Sequence, residues 1–149
     1  MLEVTDPRRV VINRCRKRYK LSRSKRSLGK LLSALERIQE KASRNNDALA
    51  SDQAWFIAEE TWSLVMRTIG PIDPKMETVF SCAPVPPEFE DKSDVERMAD
   101  LLTYVLIAEE LGNSAPGILY VRILSLAIRI TTDALLVSSP ELFCTEVEQ

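Results

Sequence analysis

The sequence predicts an all-α protein: a compact bundle of four long helices and one short helix around a buried C-terminal helix, with a flexible basic N-terminal arm. Two features of composition point to this fold: the 149 residues include only four glycines, and only 6% of them are aromatic. A barrel or sandwich needs many turn residues and aromatic or β-branched strands. A third observation is that apolar residues recur at helical spacing in several separate segments. A chain of this length with 45% hydrophobic residues can supply one core and hardly two.

Capping residues and helix breakers mark the expected boundaries. Ser93-Asp-Val-Glu96 matches a capping box, in which the Ser oxygen and the Glu carboxylate each satisfy an amide at the helix start. Successive prolines exclude a helix from residues 81–92, which are expected to form a stiff, extended loop. The long helices are therefore expected to begin near Ser27, Ser51, Ser93 and Ser114, and a short helix to span Pro74 to Phe80.

The last long helix, Ile118 to Val137, is expected to lie at the centre of the bundle. It is apolar on nearly every face, so other helices must cover it. Its three charges, Arg122, Arg129 and Asp133, argue against a membrane span. Arg129 and Asp133 are spaced to pair within the helix, whereas Arg122 must reach another helix, the surface or a ligand.

The charge of the chain is divided unevenly. The net charge is −2, but residues 1–35 hold eleven Lys and Arg against two acids, a balance of +9, which leaves −11 for the rest of the chain. No acid occurs from Arg8 to Lys30, and such a block repels itself in isolation. The sequence therefore predicts a disordered basic arm over residues 1–26, a helical domain over 27–140 and an acidic tail over 141–149.

The basic arm is the strongest functional signal in the sequence. Its cations can contact phosphates, and Tyr19 can stack on an unpaired base. An import receptor or another acidic protein would fit the same cluster equally well. The candidate residues for binding nucleic acid or an acidic partner are Arg8, Arg9, Arg14, Arg16, Lys17, Arg18, Tyr19, Lys20, Arg23, Lys25 and Arg26.

Two tryptophans and two acidic pairs have alternative interpretations. Trp55 and Trp62 lie seven residues apart on one helix face, where core packing is the expected role and anchoring of a partner is the alternative. The pairs Glu59-Glu60 and Glu109-Glu110 are expected to be solvated. They are also candidate docking points for the basic arm of the same chain.

The residue types argue against catalysis. The chain has no histidine, which removes the commonest general base near neutral pH and the commonest metal ligand. Cys15, Cys82 and Cys144 show no metal or disulfide spacing, and no secretory signal precedes them. We therefore expect a non-enzymatic, intracellular protein, cytoplasmic or nuclear and not secreted, with no cofactor and no metal.

The order of parts resembles that of the accessory C proteins of paramyxoviruses. The likeness lies in the Ser- and Arg-rich arm RCRKRYKLSRSKR feeding a glycine-poor helical domain, and it covers most of the chain. It is architectural, so no family residue is carried over. The resemblance implies an intracellular viral factor that tunes polymerase activity and blunts host innate signalling by binding proteins.

Two functional hypotheses follow. The first is a regulatory interaction protein whose helical body docks on host or viral proteins, while the arm adds localisation or electrostatic affinity. The second is a nucleic-acid-binding protein in which the arm is the principal contact. No membrane span is expected, and a homodimer is left open by the sequence.

Overall fold

A computed structural model describes residues 2–4, 7–21, 28–44, 48–69 and 91–146, with the backbone alone for residues 2–4, 19–21, 145 and 146. The elements in these ranges are helices apart from one pair of short strands, which confirms the predicted helical bundle. The short helix predicted over Pro74 to Phe80, and most of the loop predicted over 81–92, lie outside the described residues. The elements are β1 (Leu2–Val4), α1 (Pro7–Leu21), α2 (Leu28–Arg44), α3 (Ser51–Ile69), α4 (Asp94–Leu111), α5 (Gly117–Ser138) and β2 (Cys144–Glu146), with 3₁₀ turns at Gly112–Ser114 and Pro140–Phe143.

Helix α5 is the centre of the bundle, as its sequence predicts. It packs against α1, α3 and α4. Its contact with α3 includes a buried hydrogen bond, in which Thr131 Oγ1 donates to the carbonyl oxygen of Ala54 over 2.9 Å. None of the helices in the described ranges is both long and apolar enough to cross a membrane. Most apolar side chains in the middle of α5 are buried, among them Ile123, Leu124, Ile128 and Leu135.

Helices α2 and α4 pack against each other and form a second contact within the same core. Gln39 Nε2 on α2 donates to the carbonyl oxygen of Val95 over 3.3 Å, and the amide of Leu49 donates to Asp94 Oδ2 over 3.3 Å. Both bonds fix the start of α4 against α2 and the segment that leads into α3. The sequence of α2 predicts an apolar stripe from the helical spacing of Leu28, Leu31, Leu32, Leu35, Ile38 and Ala42. Leu31, Leu35, Ile38 and Ala42 are buried, which confirms it.

The start of α4 has the expected cap, whereas Ser51, which was expected to cap α3, is the first residue of that helix. The amide of Glu96 donates to Ser93 Oγ over 3.2 Å, which confirms the Ser half of the predicted capping box. The helix that was expected to follow Ser51 includes Ser51 as its first residue. The amide of Ala50 there donates to Gln53 Oε1 over 3.1 Å, so a side chain in the first turn caps the backbone in front of it.

The prediction of a disordered arm is wrong for Pro7–Leu21, which forms helix α1. This helix packs against α3 and α5, and its Val11, Ile12 and Cys15 are fully or almost fully buried. Their spacing places all three on one face of a helix, and burying that face offsets the repulsion among the cations. Helix α1 therefore belongs to the domain that was expected to begin at residue 27. Residues 22–26 of the predicted arm lie outside the described ranges.

The prediction of an acidic tail from residue 141 is wrong for residues 141–146. Phe143, in the 3₁₀ turn that follows α5, is only 1% exposed. Strand β2 then pairs antiparallel with β1, with Leu2 opposite Glu146 and Val4 opposite Cys144. The large aromatic side chain attaches this segment to the core despite the acids around it. Residues 147–149 lie outside the described part of the chain.

We expect Phe143→Ala to lower the free energy of unfolding by about 3–5 kcal/mol, because it removes a fully buried aromatic side chain and leaves a cavity. The matched control is Leu142→Ala, since Leu142 is 42% exposed and its loss should cost less than about 1 kcal/mol. Urea unfolding followed by circular dichroism measures both. Equal losses in the two variants would contradict the anchoring role of Phe143.

Candidate functional site

Helix α1 has an apolar inner face and a basic outer face. Arg9, Asn13, Lys17 and Arg18 are exposed, whereas Arg8, Arg14 and Arg16 are half-buried. Arg9, Asn13 and Lys17 follow one another at intervals of four residues, so they form a line about 12 Å long on one side of the helix. No acid occurs within α1. The helix therefore presents a cationic surface on a folded scaffold, and we call this surface the basic face.

Glu59 on α3 attaches the basic helix to the body of the protein. Glu59 Oε1 lies 3.2 Å from Arg14 Nε and 3.5 Å from Arg18 Nε. This oxygen is buried and makes no aligned hydrogen bond, so its attraction to the two guanidinium groups is mainly Coulombic. The contact confirms the alternative interpretation of Glu59 as a docking point for the basic segment.

Arg14 also covers Trp55. Its guanidinium carbon lies 3.8 Å from the centroid of the indole ring, within the distance of a cation–π interaction. Trp55 is 7% exposed and Trp62 is 1% exposed. The expected core packing of both tryptophans is confirmed. Trp62 has almost no surface left for a partner, and Trp55 has little.

An open cleft of about 800 Å³ borders the helix where α1, the start of α3 and the turn after α5 meet. Its walls carry both signs of charge, since Arg14 and Arg18 face Asp52, Glu59 and Glu141. The other lining residues are Ser51, Trp55, Phe56, Ser139 and Leu142. No group of three acidic or cysteine side chains in the described ranges is placed to hold a metal ion. The mixed charge gives the cleft no single preference for anions or cations.

Cys15 lies beneath α1 and is fully buried. Burial raises the pKa of the Cys15 thiol far above its ordinary value, and the negative charge of Glu59 raises it further. The thiol is therefore protonated at neutral pH, which makes it a poor nucleophile. Cys144 is exposed, and Cys82 lies outside the described residues.

Most of the predicted binding residues that the structure describes lie together on α1. Arg14 and Arg18 turn towards Glu59, Arg9 and Lys17 lie on the basic face, and Arg8 and Arg16 are half-buried. The backbone of Tyr19 and Lys20 belongs to α1, but their side chains are outside the described atoms. Outside the described ranges lie Arg23, Lys25 and Arg26.

The charges of α5 lie in positions that agree with the sequence analysis. Arg129 Nε lies 2.9 Å from Asp133 Oδ2, which confirms the pairing predicted within the helix. Arg97 Nη1 on α4 lies 2.5 Å from the same oxygen and was not anticipated, because the pairing spans two helices. Arg122 is exposed, which agrees with the surface alternative. These ion pairs are structural, and they are separate from the basic face.

We expect Glu59→Gln to accelerate labelling of Cys15 about threefold to fivefold, because a weaker ion pair lets α1 open more often. The measurement uses a thiol reagent on protein that carries Cys82→Ser and Cys144→Ser, which leaves Cys15 as the one thiol of the chain. Glu36→Gln, at an exposed position on α2, is the matched control and should label at the parent rate. An unchanged rate in Glu59→Gln would show that this ion pair does not hold α1.

The raised pKa of Cys15 also predicts a dependence of stability on pH. Below the ordinary thiol pKa of 9.0 both the native and the unfolded chain hold the proton. Above it the unfolded chain releases the proton and the native chain retains it. Unfolding then becomes easier by up to about 1.4 kcal/mol per pH unit.

Cys15→Ala should remove this contribution, so the free energy of unfolding of the variant falls less steeply above pH 9.0. Denaturant unfolding at a series of alkaline pH values measures the slope. Cys144→Ala, at an exposed position, should keep the parent slope. The same slope in Cys15→Ala and the parent would contradict a buried, protonated thiol.

None of the family models, curated proteins or solved structures compared with this chain matches it. The role of the basic face has to be inferred from its own residues and geometry.

Proposed function

We propose that this protein is a non-enzymatic regulatory interaction protein that docks on an acidic surface of a protein partner through the basic face of α1. The single observation that carries this proposal is that a helix with no acid is folded onto the body and leaves Arg9, Lys17 and Arg18 exposed. A flexible arm would lose conformational entropy on binding. A docked helix has already lost it, so more of the electrostatic attraction is available for affinity.

The chemistry around the basic face supports binding over catalysis. The chain contains no histidine, and the cysteine nearest to the face is buried and protonated. The carboxylate of Glu59 is shared by two arginines. In the cleft next to α1, Glu59, Arg14 and Arg18 hold the helix against α3, so their role is structural.

The proposal extends to the role that the resemblance to paramyxovirus C proteins implies. In that role the protein acts inside an infected cell as a viral accessory factor. It modulates polymerase activity and host innate signalling through contacts with proteins. A basic face of this kind also suits recognition by an import receptor, and the cytoplasm and the nucleus are the proposed locations.

Nucleic acid is the second candidate partner. Helix α1 contains seven Lys and Arg and no Asp or Glu in 15 residues, over a length of about 22 Å. Phosphates on one strand of a duplex repeat every 3.4 Å or so along the axis. The exposed cations Arg9, Lys17 and Arg18, which are held on one folded helix, can therefore meet more than one phosphate at once.

We expect the double variant Arg9→Gln/Lys17→Gln to bind a labelled acidic peptide about fivefold more weakly than the parent protein, because two exposed charge contacts are lost. The matched control is Arg37→Gln/Lys41→Gln, which removes one Arg and one Lys four residues apart from exposed positions on α2. Fluorescence anisotropy at two salt concentrations measures both. Equal weakening in the two variants would contradict a specific role for the basic face.

The same titrations with single-stranded RNA and duplex DNA distinguish the two candidates. If nucleic acid is the partner, Arg9→Gln/Lys17→Gln should reduce the slope of log K against log salt by about two. Binding of nucleic acid with no binding of the acidic peptide would favour the second candidate. No binding of either probe at low salt would overturn both.

A further inference from the structure

Asn13 lies at the centre of the basic face and carries no charge. Arg9 precedes it by four residues and Lys17 follows it by four, so the three lie on one side of α1, and each is exposed. Within the described part of the chain none of these three side chains makes a hydrogen bond or an ion pair, whereas Arg14 and Arg18 are held by a carboxylate of α3. The donors of the three side chains are therefore free to bind a group from outside the protein.

The stability of α1 does not explain an asparagine at this position. Asn13 lies near the middle of a helix of 15 residues, and Asn is a poorer helix former than Ala, Arg or Lys. Its exposed amide packs into no core and bonds to no other described group. A further Arg or Lys would favour the helix and add charge to the face. The amide therefore contributes something that another cation would not.

The three side chains are spaced to converge on one ligand group. Residues four apart on a helix have Cβ atoms about 5–6 Å apart, so a group above Asn13 is within reach of both longer neighbours. Arg9 and Lys17 supply charged N–H donors, and the Asn13 amide supplies two further donors without adding repulsion. A phosphate monoester matches these donors better than a carboxylate does, because it carries about 1.5 to 2 negative charges at neutral pH and three acceptor oxygens.

We propose that Arg9, Asn13 and Lys17 bind a phosphorylated serine or threonine side chain within an acidic segment of a partner protein. The site belongs to the basic face, so it rests on the proposed function and specifies what that face recognises. Arg9 and Lys17 attract the dianion, and the Asn13 amide donates to one of its oxygens. Charge-assisted hydrogen bonds to phosphate are stronger than neutral ones, and clusters of basic side chains are a recurrent means of recognising phosphorylated segments.

The test uses three labelled peptides with the same acidic sequence, which differ at one position by serine, phosphoserine or glutamate. In fluorescence anisotropy the full chain should bind the phosphoserine peptide about tenfold more tightly than the serine peptide and about threefold more tightly than the glutamate peptide. Equal affinity for the phosphoserine and glutamate peptides would overturn the proposed phosphate site. The proposed function fails as well only if none of the three peptides binds, so the two failures are distinguishable.

Asn13→Ala measures the contribution of the amide. Ala favours a helix, so this variant should fold like the parent, which circular dichroism checks. It should bind the phosphoserine peptide about fivefold more weakly and the serine peptide with parent affinity. Asn113→Ala is the matched control, since Asn113 is exposed in the turn between α4 and α5, and it should bind both peptides like the parent. If Asn13→Ala keeps the parent affinity for the phosphoserine peptide, or weakens binding of both peptides equally, the amide does not recognise phosphate.

A single-stranded RNA with the same net charge as the phosphoserine peptide separates the two sources of phosphate. Each phosphodiester of a nucleic acid carries one negative charge, so it attracts the three side chains less than a monoester does. The parent should therefore bind the phosphoserine peptide more tightly than this RNA, and Asn13→Ala should leave binding of the RNA unchanged. Tighter binding of the RNA, weakened by Asn13→Ala, would overturn the proposal in favour of nucleic acid.

Discussion

Helix α5 has to be covered on several sides, because apolar residues occupy nearly all of its surface, and the other elements are arranged around this requirement. Helices α3 and α4 each bury part of it, and α1 covers a further part. This need explains why a helix as basic as α1 is folded at all. The apolar surface that it covers would otherwise face water, and the free energy of burying Val11 and Ile12 opposes the mutual repulsion of the cations.

The charge of α1 is accommodated by geometry. Its apolar residues occupy one face, so most of its cations remain close to water, where their repulsion is screened. The two arginines nearest to α3 share a single carboxylate, and one of them lies on an indole ring. The rest of the charge stays on the outside of the helix. A stable fold and a cationic surface are thus properties of the same segment.

The sequence predicts the parts of the fold that depend on local pattern. The stripe of α2, the capping box at Ser93 and the pair Arg129 and Asp133 are all visible in residue spacing. What it could not predict depends on contacts between distant segments. Counting charges made residues 7–21 look disordered, since Val11, Ile12 and Cys15 are few and the surface that covers them lies on α3 and α5. Phe143 was missed for the same reason.

The pairing of β1 with β2 has a consequence for the timing of folding. It joins Leu2–Val4 to Cys144–Glu146, and α1 rests against a helix that ends at Ser138. During synthesis neither contact can form until almost all of the chain has left the ribosome, whereas α2 and α3 are complete much earlier. The basic segment can therefore meet α3 early, but for most of translation it lacks the contact with α5 that completes its binding surface. During that interval the seven cations of this segment are without the final fold around them, and an anionic surface nearby would attract them electrostatically.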